Sequence, residues 1–394
     1  MIVGVASLAT QGMLQADGFH LAGQAPEAVG KGNAFVATAN TAAAVYYNAA
    51  GLTQLDAASV QAGFYSIDLN VSANLDLGGS QKLKTGIVTA PQIYGAVPIN
   101  EDFVLGFGLN TPFGLSGEWG LNNSFRQITT QAELEYATFW LVGGYKVSET
   151  LSVGGGIGVH SADVDLRRGL APSPSSDEFS FKGDDFGVSW TLSALWQPSA
   201  KHSLGIVYRS KTEFDLEGTT RSGLHGVSAA SSVDGFVTPD TLAVGYSYRP
   251  NACWNIEANI EWVGWSKLGT MTLSSRFPGP LAALNTLPLP YEWEDSYIYS
   301  IGAEYDLGDG WKARFGYNFI ESAQPDANYD PSVADADRHW LTLGVGHQGE
   351  SWSWDAAYQY AFSDRSVGAA ASPLVQGDYK SRFHSLSVSA RYEF

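Results

Sequence analysis

Long apolar runs are missing from this chain. No apolar stretch approaches the roughly 20 residues that a membrane-spanning helix requires. Charge is sparse too: 16% of residues are Asp, Glu, Lys or Arg, against about 25% in ordinary soluble domains. The charge present is acidic, −18 net, with no basic patch. That excludes the electrostatic footprint of a nucleic-acid binder and gives no reason for adsorption on anionic lipid. A single cysteine, Cys253, excludes an intramolecular disulfide and a cysteine-ligated metal cluster. The 44 glycines follow no G-X-Y period, which excludes a collagen-like chain. Neither G-x-S-x-G nor H-E-x-x-H occurs, and the seven histidines lack ligand spacing. His160 and Ser152 share a parity without an acidic partner, and His339 beside Arg338 forms no triad. The chain therefore reads as a non-enzyme with no cofactor and no metal. The acidic run Asp326, Asp330, Asp335 and Asp337 reads as a solvated or lipopolysaccharide-facing surface rather than a cation site.

What the chain does have is alternation. Apolar and polar residues exchange with a period of two, which puts them on opposite faces of a sheet. Trp254, Ile256, Ala258, Ile260 and Trp262 share one face, and Asn255, Glu257, Asn259 and Glu261 the other. The C-terminal run does the same, with Leu386, Val388, Ala390, Tyr392 and Phe394 opposed to Ser387, Ser389, Arg391 and Glu393. Fourteen such runs can be drawn. The first seven are Val60–Leu77, Thr85–Ile99, Phe103–Leu115, Ala132–Lys146, Leu151–Leu166, Phe181–Gln197 and Ser203–Leu216. The others are Thr238–Arg249, Trp254–Met271, Trp293–Asp306, Trp311–Ile320, Arg338–His347, Ser351–Phe362 and Tyr379–Phe394.

The connections alternate in length. Short turns lie near Asn100, Ser148, Pro198, Pro250, Gly308 and Gly349. Long polar links lie at Ser116–Gln131, Arg167–Ser180, Glu217–Val237, Thr272–Glu292, Glu321–Asp337 and Ser363–Asp378; only the first link, around Gly78 to Lys84, is short where a long one is expected. Short turns on one rim and long loops on the other are the pattern of an outer-membrane barrel. The predicted fold is all-β: a 14-stranded antiparallel transmembrane barrel over residues 56–394, with both termini in the periplasm.

Two segments precede the barrel. Residues 1–16 read as the remnant of a secretory signal without a positive n-region. Residues 17–55 contain a stretch, Gly30–Leu55, crowded with Ala, Gly, Thr and Asn and without strand alternation. Small residues allow close backbone approach, so this stretch suits packing inside a barrel as a plug. A small-residue helix followed by a turn at Asn48–Gly51 fits the composition equally.

Several of these residues form a recognisable set. Gly30-Lys-Gly-Asn-Ala-Phe35 and Tyr47-Asn-Ala-Ala-Gly51 are followed by Asn110-Thr-Pro-Phe-Gly114, Leu204 to Lys211, Thr238-Pro-Asp240, Asp337-Arg-His-Trp340 and a terminal Phe394. In this order and spacing, the chain resembles the FadL-type outer-membrane transporters of long-chain fatty acids and other hydrophobic compounds. Ala49 stands where that family has proline. The resemblance implies an N-terminal hatch in the lumen, carried by Asn33, Phe35, Tyr47, Asn48 and Gly51. It implies energy-independent uptake with sideways release where a strand is kinked at Pro112 and Gly114. It implies that Arg168, or its neighbour Arg167, meets a fatty-acid carboxylate. Arg209 and Lys211, read as opposite Leu204, Ile206 and Tyr208, are further ligand-binding candidates. The expected partners are a long-chain fatty acid or another hydrophobic molecule, outer-membrane lipid and lipopolysaccharide, with no nucleic acid and the chain a monomer. Uptake of alkanes or aromatic hydrocarbons, or a general porin for polar solutes, are the alternatives.

Overall fold

The computed structural model describes residues 18–21, 23–171 and 177–394; the signal remnant expected at 1–16 lies outside them. Fourteen antiparallel strands pair in sequence order around a closed barrel. The first seven are β1 (Ser59–Leu75), β2 (Ile87–Pro98), β3 (Phe103–Asn110, resuming as Leu115–Glu118), β4 (Gln131–Ser148), β5 (Leu151–Gly169), β6 (Glu178–Ser199) and β7 (His202–Arg209, resuming as Thr212–Ser222). Next come β8 (Val227–Thr238 and Thr241–Tyr248), β9 (Trp254–Val263 and Thr270–Ser275) and β10 (Thr286–Pro290 and Ser296–Gly308). The series ends with β11 (Trp311–Ile320), β12 (Arg338–Gln348), β13 (Trp352–Val367) and β14 (Gly377–Glu393). Closure runs the whole length of β1 against β14, from Ser59 opposite Glu393 to Leu75 opposite Gly377. No sheet edge is left at that seam, as a bilayer demands.

One rim carries the short turns and both ends of the barrel domain; the other carries the long connections. Along an unbroken strand the facing does not change, but the polarity does. On β14 near the turn end, Ser385, Ser387 and Ser389 point inward while Leu386 and Val388 point outward. Nearer the loop end of the same strand, Tyr379 and Phe383 point inward, and Lys380 and His384 outward. β1 behaves alike: Gln61 is buried beside outward Val60 and Phe64, then Ile67, Leu69 and Val71 are buried between outward Asp68 and Asn70. The turn-end half therefore shows an apolar exterior suited to hydrocarbon. The loop-end half stands in water around an apolar interior.

The loop-end half holds one difference from the sequence reading. The link expected at Glu217–Val237 is mostly strand: β7 and β8 continue as a ladder to Ser222 opposite Val227, closed by a turn at 223–226. Past Leu216 the outward residues are Glu217, Thr219 and Arg221 and the inward ones Gly218, Thr220 and Ser222, so the segment has no apolar face and reads as a loop.

The arrangement fixes sidedness. An epitope tag in the 223–226 turn is expected to be labelled on intact cells, and one at Pro250–Asn251 only after permeabilisation. Equal labelling of both sites would contradict the topology.

Candidate functional site

The N-terminal segment occupies the turn-end half of the lumen. It contains two single-turn helices, Pro26–Val29 and Ala44–Tyr47, and a 3-10 helix, Ala49–Gln54. Its alanines at 25, 28, 34, 37, 39, 42, 43, 44 and 50 are fully buried. Close approach is the reason for the small residues. A Cβ on Gly316 of β11 would lie 2.2 Å from the Lys31 carbonyl carbon, and one on Gly51 would lie 2.2 Å from the Ala39 carbonyl oxygen. Gly32 and Asn33 take left-handed φ values of 62° and 63°, turning the chain beside the wall.

Asn48 is fully buried and uses both ends of its amide. Its Nδ2 donates to the Val36 carbonyl at 2.8 Å and to Ala194 of β6 at 3.3 Å, while Oδ1 accepts from Ala50 N–H at 3.1 Å. The Tyr47 hydroxyl accepts from Gln24 N–H at 3.1 Å and donates to Asn33 Oδ1 at 3.3 Å. Phe35 packs edge-on against Tyr47, with the Lys31 ammonium 4.8 Å from its centroid. Ala49 opens the 3-10 helix, the first-turn position where a proline's missing N–H costs nothing. Alanine keeps the helix there but does not fix φ.

Two anchors carried no sequence signal of their own. Glu257 of β9 is fully buried and clamps the 31–38 loop. It pairs with Lys31 Nζ at 3.3 Å, accepts from Ala37 N–H at 2.7 Å and accepts the Thr38 hydroxyl. Gln24, also buried, ties the segment to the wall. Its Nε2 donates to Leu21 O at 2.6 Å and Thr111 O at 2.9 Å, and its Oε1 accepts from Asn110 Nδ2 at 2.8 Å.

Gln24 sits where β3 breaks. Residues 111–114 leave the ladder, and chain residues 19–21 fill in from the lumen. Leu21 N–H donates to Pro112 O at 2.7 Å, and Gly114 N–H to Phe19 O at 2.9 Å. The β2–β3 ladder covers only Ile93–Pro98 against Val104–Leu109. From Ile87 to Gln92, β2 has no β3 partner among the described residues. Pro112 and Gly114 thus flank an interruption in the wall hydrogen bonding, closed from inside by the N-terminal segment.

Above the segment the lumen is mainly apolar, with Arg338 of β12 buried over the Phe383 ring. Phe19, Phe113, Phe236, Trp265 and Trp293 meet ring to ring at its floor. A cavity of ≈ 30 Å³ between Leu134, Val164, Leu216, Val233 and Met271 shares Leu166, Val233 and Tyr291 with one of ≈ 70 Å³ nearer the rim. Arg168 lines the rim cavity. Because β5 continues to Gly169, Arg168 keeps inward parity, whereas Arg167 is outward and pairs with Asp165 and Glu178. The Arg168 guanidinium lies 5.5 Å from the Phe179 ring. On the other side of the segment, a polar cavity of ≈ 220 Å³ opens at the turn end among Glu27, Arg314, Asp355 and Arg391.

Arg209 lies against the segment, 4.4 Å above the Tyr46 ring, and pairs with Glu261 at 3.6 Å. Lys211 is elsewhere. The break in β7 at 210–211 reverses parity, so Lys211 is exposed and pairs with the outward Glu213 at 2.5 Å. The structure does not bring it together with Arg168 and Arg209.

The profile of the outer-membrane transport proteins (OMPP1/FadL/TodX) matches residues 5–394. The chain belongs to this family. It is an outer-membrane barrel, its turn end periplasmic, that passes hydrophobic small molecules without an energy source. The long-chain fatty acid transport protein of Escherichia coli (strain K12) is 24% identical over 358 residues, covering 78% of this chain and 79% of that one. Outer membrane protein P1 of Haemophilus influenzae is 23% identical over 413 residues, covering 91% and 89%. Among solved structures, a Pseudomonas aeruginosa FadL homologue superposes with a TM-score of 0.85 at 20% identity, over 96% of this chain and 100% of that one. The Pseudomonas putida toluene transporter TodX gives 0.75 at 18%, over 95% and 99%. These likenesses show a shared fold.

Glu257 generates the test of the anchoring. Glu257→Gln leaves the Lys31 ammonium buried beside a neutral amide, and breaking one partner of a buried pair costs roughly 3–5 kcal/mol. The barrel is expected to stay heat-resistant on a gel while its conductance in planar bilayers rises above the parent's. Unchanged conductance would assign the segment's retention to other contacts.

Proposed function

We propose that this protein takes up long-chain fatty acids, with residues 18–55 as a hatch and the break in β3 as a lateral exit. The observation that carries this reading is an apolar chamber with Arg168 at its rim, above a segment that blocks the lumen and beside a gap in the wall. An open porin for polar solutes needs neither the apolar lining nor the blockage. An acid with a long tail needs both an apolar cavity and a cation for its head, and arginine supplies a fork that matches a carboxylate. The hatch residues Asn33, Phe35, Tyr47, Asn48 and Gly51 hold the closed state. Pro112 and Gly114 keep β3 from completing its ladder, because proline cannot donate to one and glycine weakens it. The substrate descends to the aromatic floor at Phe19 and leaves sideways into the bilayer.

The head-group half of the proposal is tested by Arg168→Ala. Loss of a charge-assisted hydrogen bond is expected to weaken binding of a long-chain acid by about 1.5 kcal/mol or more. Binding of an alkane of equal length is expected to stay the same. An equal loss for both ligands would make Arg168 structural, and unchanged acid binding would remove it from the site.

A further inference from the structure

Arg168 does not face the rim cavity alone. Asp330, from the connection between β11 and β12, lines the same cavity. The two groups attract across it, yet no salt bridge or hydrogen bond joins them among the described residues. Asp330 is held in place: Ser332 N–H donates to its Oδ1 at 2.8 Å, and Gln324 Nε2 donates to its backbone carbonyl at 3.1 Å. The other titratable groups that feel its charge are Tyr291 ahead of the second part of β10, Tyr329 on its own connection and Tyr379 on β14. Arg167 borders the same cavity but is paired with Asp165 and Glu178, so among the described residues Arg168 is the cation that acts on Asp330; the rest of the wall sets apolar Leu273, Leu287 and Leu289 beside polar Thr129 and Gln131.

A slot between a donor resting on the Phe179 ring and an anchored acceptor has a chemical preference. A hydroxyl accepts from the guanidinium and donates to the carboxylate. A bare carboxylate only accepts, and its charge meets that of Asp330 in a partly desolvated cavity. We infer that Asp330 screens Arg168, so that the rim cavity selects long-chain amphiphiles with an un-ionised hydroxyl head, a fatty alcohol or a protonated fatty acid, over those with a bare carboxylate. The inference rests on Arg168 being the head-group residue. Burial pushes the Asp330 carboxyl above its ordinary range, against the hydrogen bonds from Ser332 and the attraction of Arg168. Falling pH therefore neutralises Asp330 early and relaxes the discrimination.

The test is equilibrium binding of hexadecanol and hexadecanoate to the full chain in nanodiscs, at about pH 8 and about pH 5. The readout is the ratio of the two affinities on one protein sample, which does not depend on the fraction folded. In the parent, the alcohol is expected to bind more tightly at the higher pH, with the ratio shrinking at the lower; protonation of hexadecanoate contributes to that in any variant, so the Asp330 share is the part of the shrinkage that Asp330→Asn abolishes. Asp330→Asn is expected to lower the high-pH ratio about tenfold, through tighter carboxylate binding, as removal of one nearby like charge implies. A ratio unchanged by Asp330→Asn overturns the inference. Arg168→Gln separates the two layers. If it weakens both ligands while Asp330→Asn leaves the ratio alone, only the screening fails. If it changes neither ligand, the head-group reading of Arg168 fails with it.

Discussion

A barrel of eight strands can fill its interior with its own side chains; one of fourteen cannot. The wall's inward polar groups in the membrane half, among them Glu257, Asn259 and Asn318, must either face water or find partners in something brought inside. The N-terminal segment is that filler, and most features of the chain follow from fitting it. Its alanines and glycines let backbone lie against wall. Glycines at 302 and 316 give way on the opposite side, where a Cβ would lie 2.1 and 2.2 Å from atoms of Lys31. Polar wall groups are then satisfied by backbone, as Asn318 Nδ2 is by Gly32 O at 3.1 Å and Asn259 Nδ2 by Asn33 O at 3.2 Å.

Filling only the lower half has a functional consequence. The wall above the segment faces water on the outside, so its apolar residues turn inward and build a chamber of the opposite character. The segment separates a polar periplasmic mouth from this apolar chamber. The break in β3 lies level with the boundary, and it is stoppered by the first described residues of the segment itself. One element therefore fills the lumen and covers the break in the wall. In the proposed exit, residues 19–21 would move while the buried Lys31–Glu257 anchor further along the chain stays in place.

Much of the fold was legible because strand alternation survives in any sequence with one face in lipid. β9 and β14 declared both faces at once. Legibility failed where that contrast fades. Beyond Leu216, β7 carries polar residues on both faces, and β8 repeats like residues at Ala229–Ala230 and Ser231–Ser232, so both read as a link. The parity of Arg168 became readable once β5 was seen to continue to Gly169. That of Lys211 was misread because a two-residue break inverts the pleat. In the site, Pro112 announced a broken strand, since proline has no N–H to donate. Gln24 and Glu257 gave no warning: a single polar residue that binds a distant backbone has no periodic or motif signal.

The most direct measurement exploits the bridge between His20 and Phe113 at the break. With Cys253 replaced by serine, cysteines at positions 20 and 113 place one thiol on the N-terminal segment and one on β3, free of any native disulfide. Uptake of a labelled long-chain acid into outer-membrane vesicles is measured with this pair oxidised and then reduced. If the substrate leaves through the break, oxidation stops uptake and reduction restores it. Equal uptake in the two states, with the crosslink verified on a gel, would show that the substrate does not pass this way.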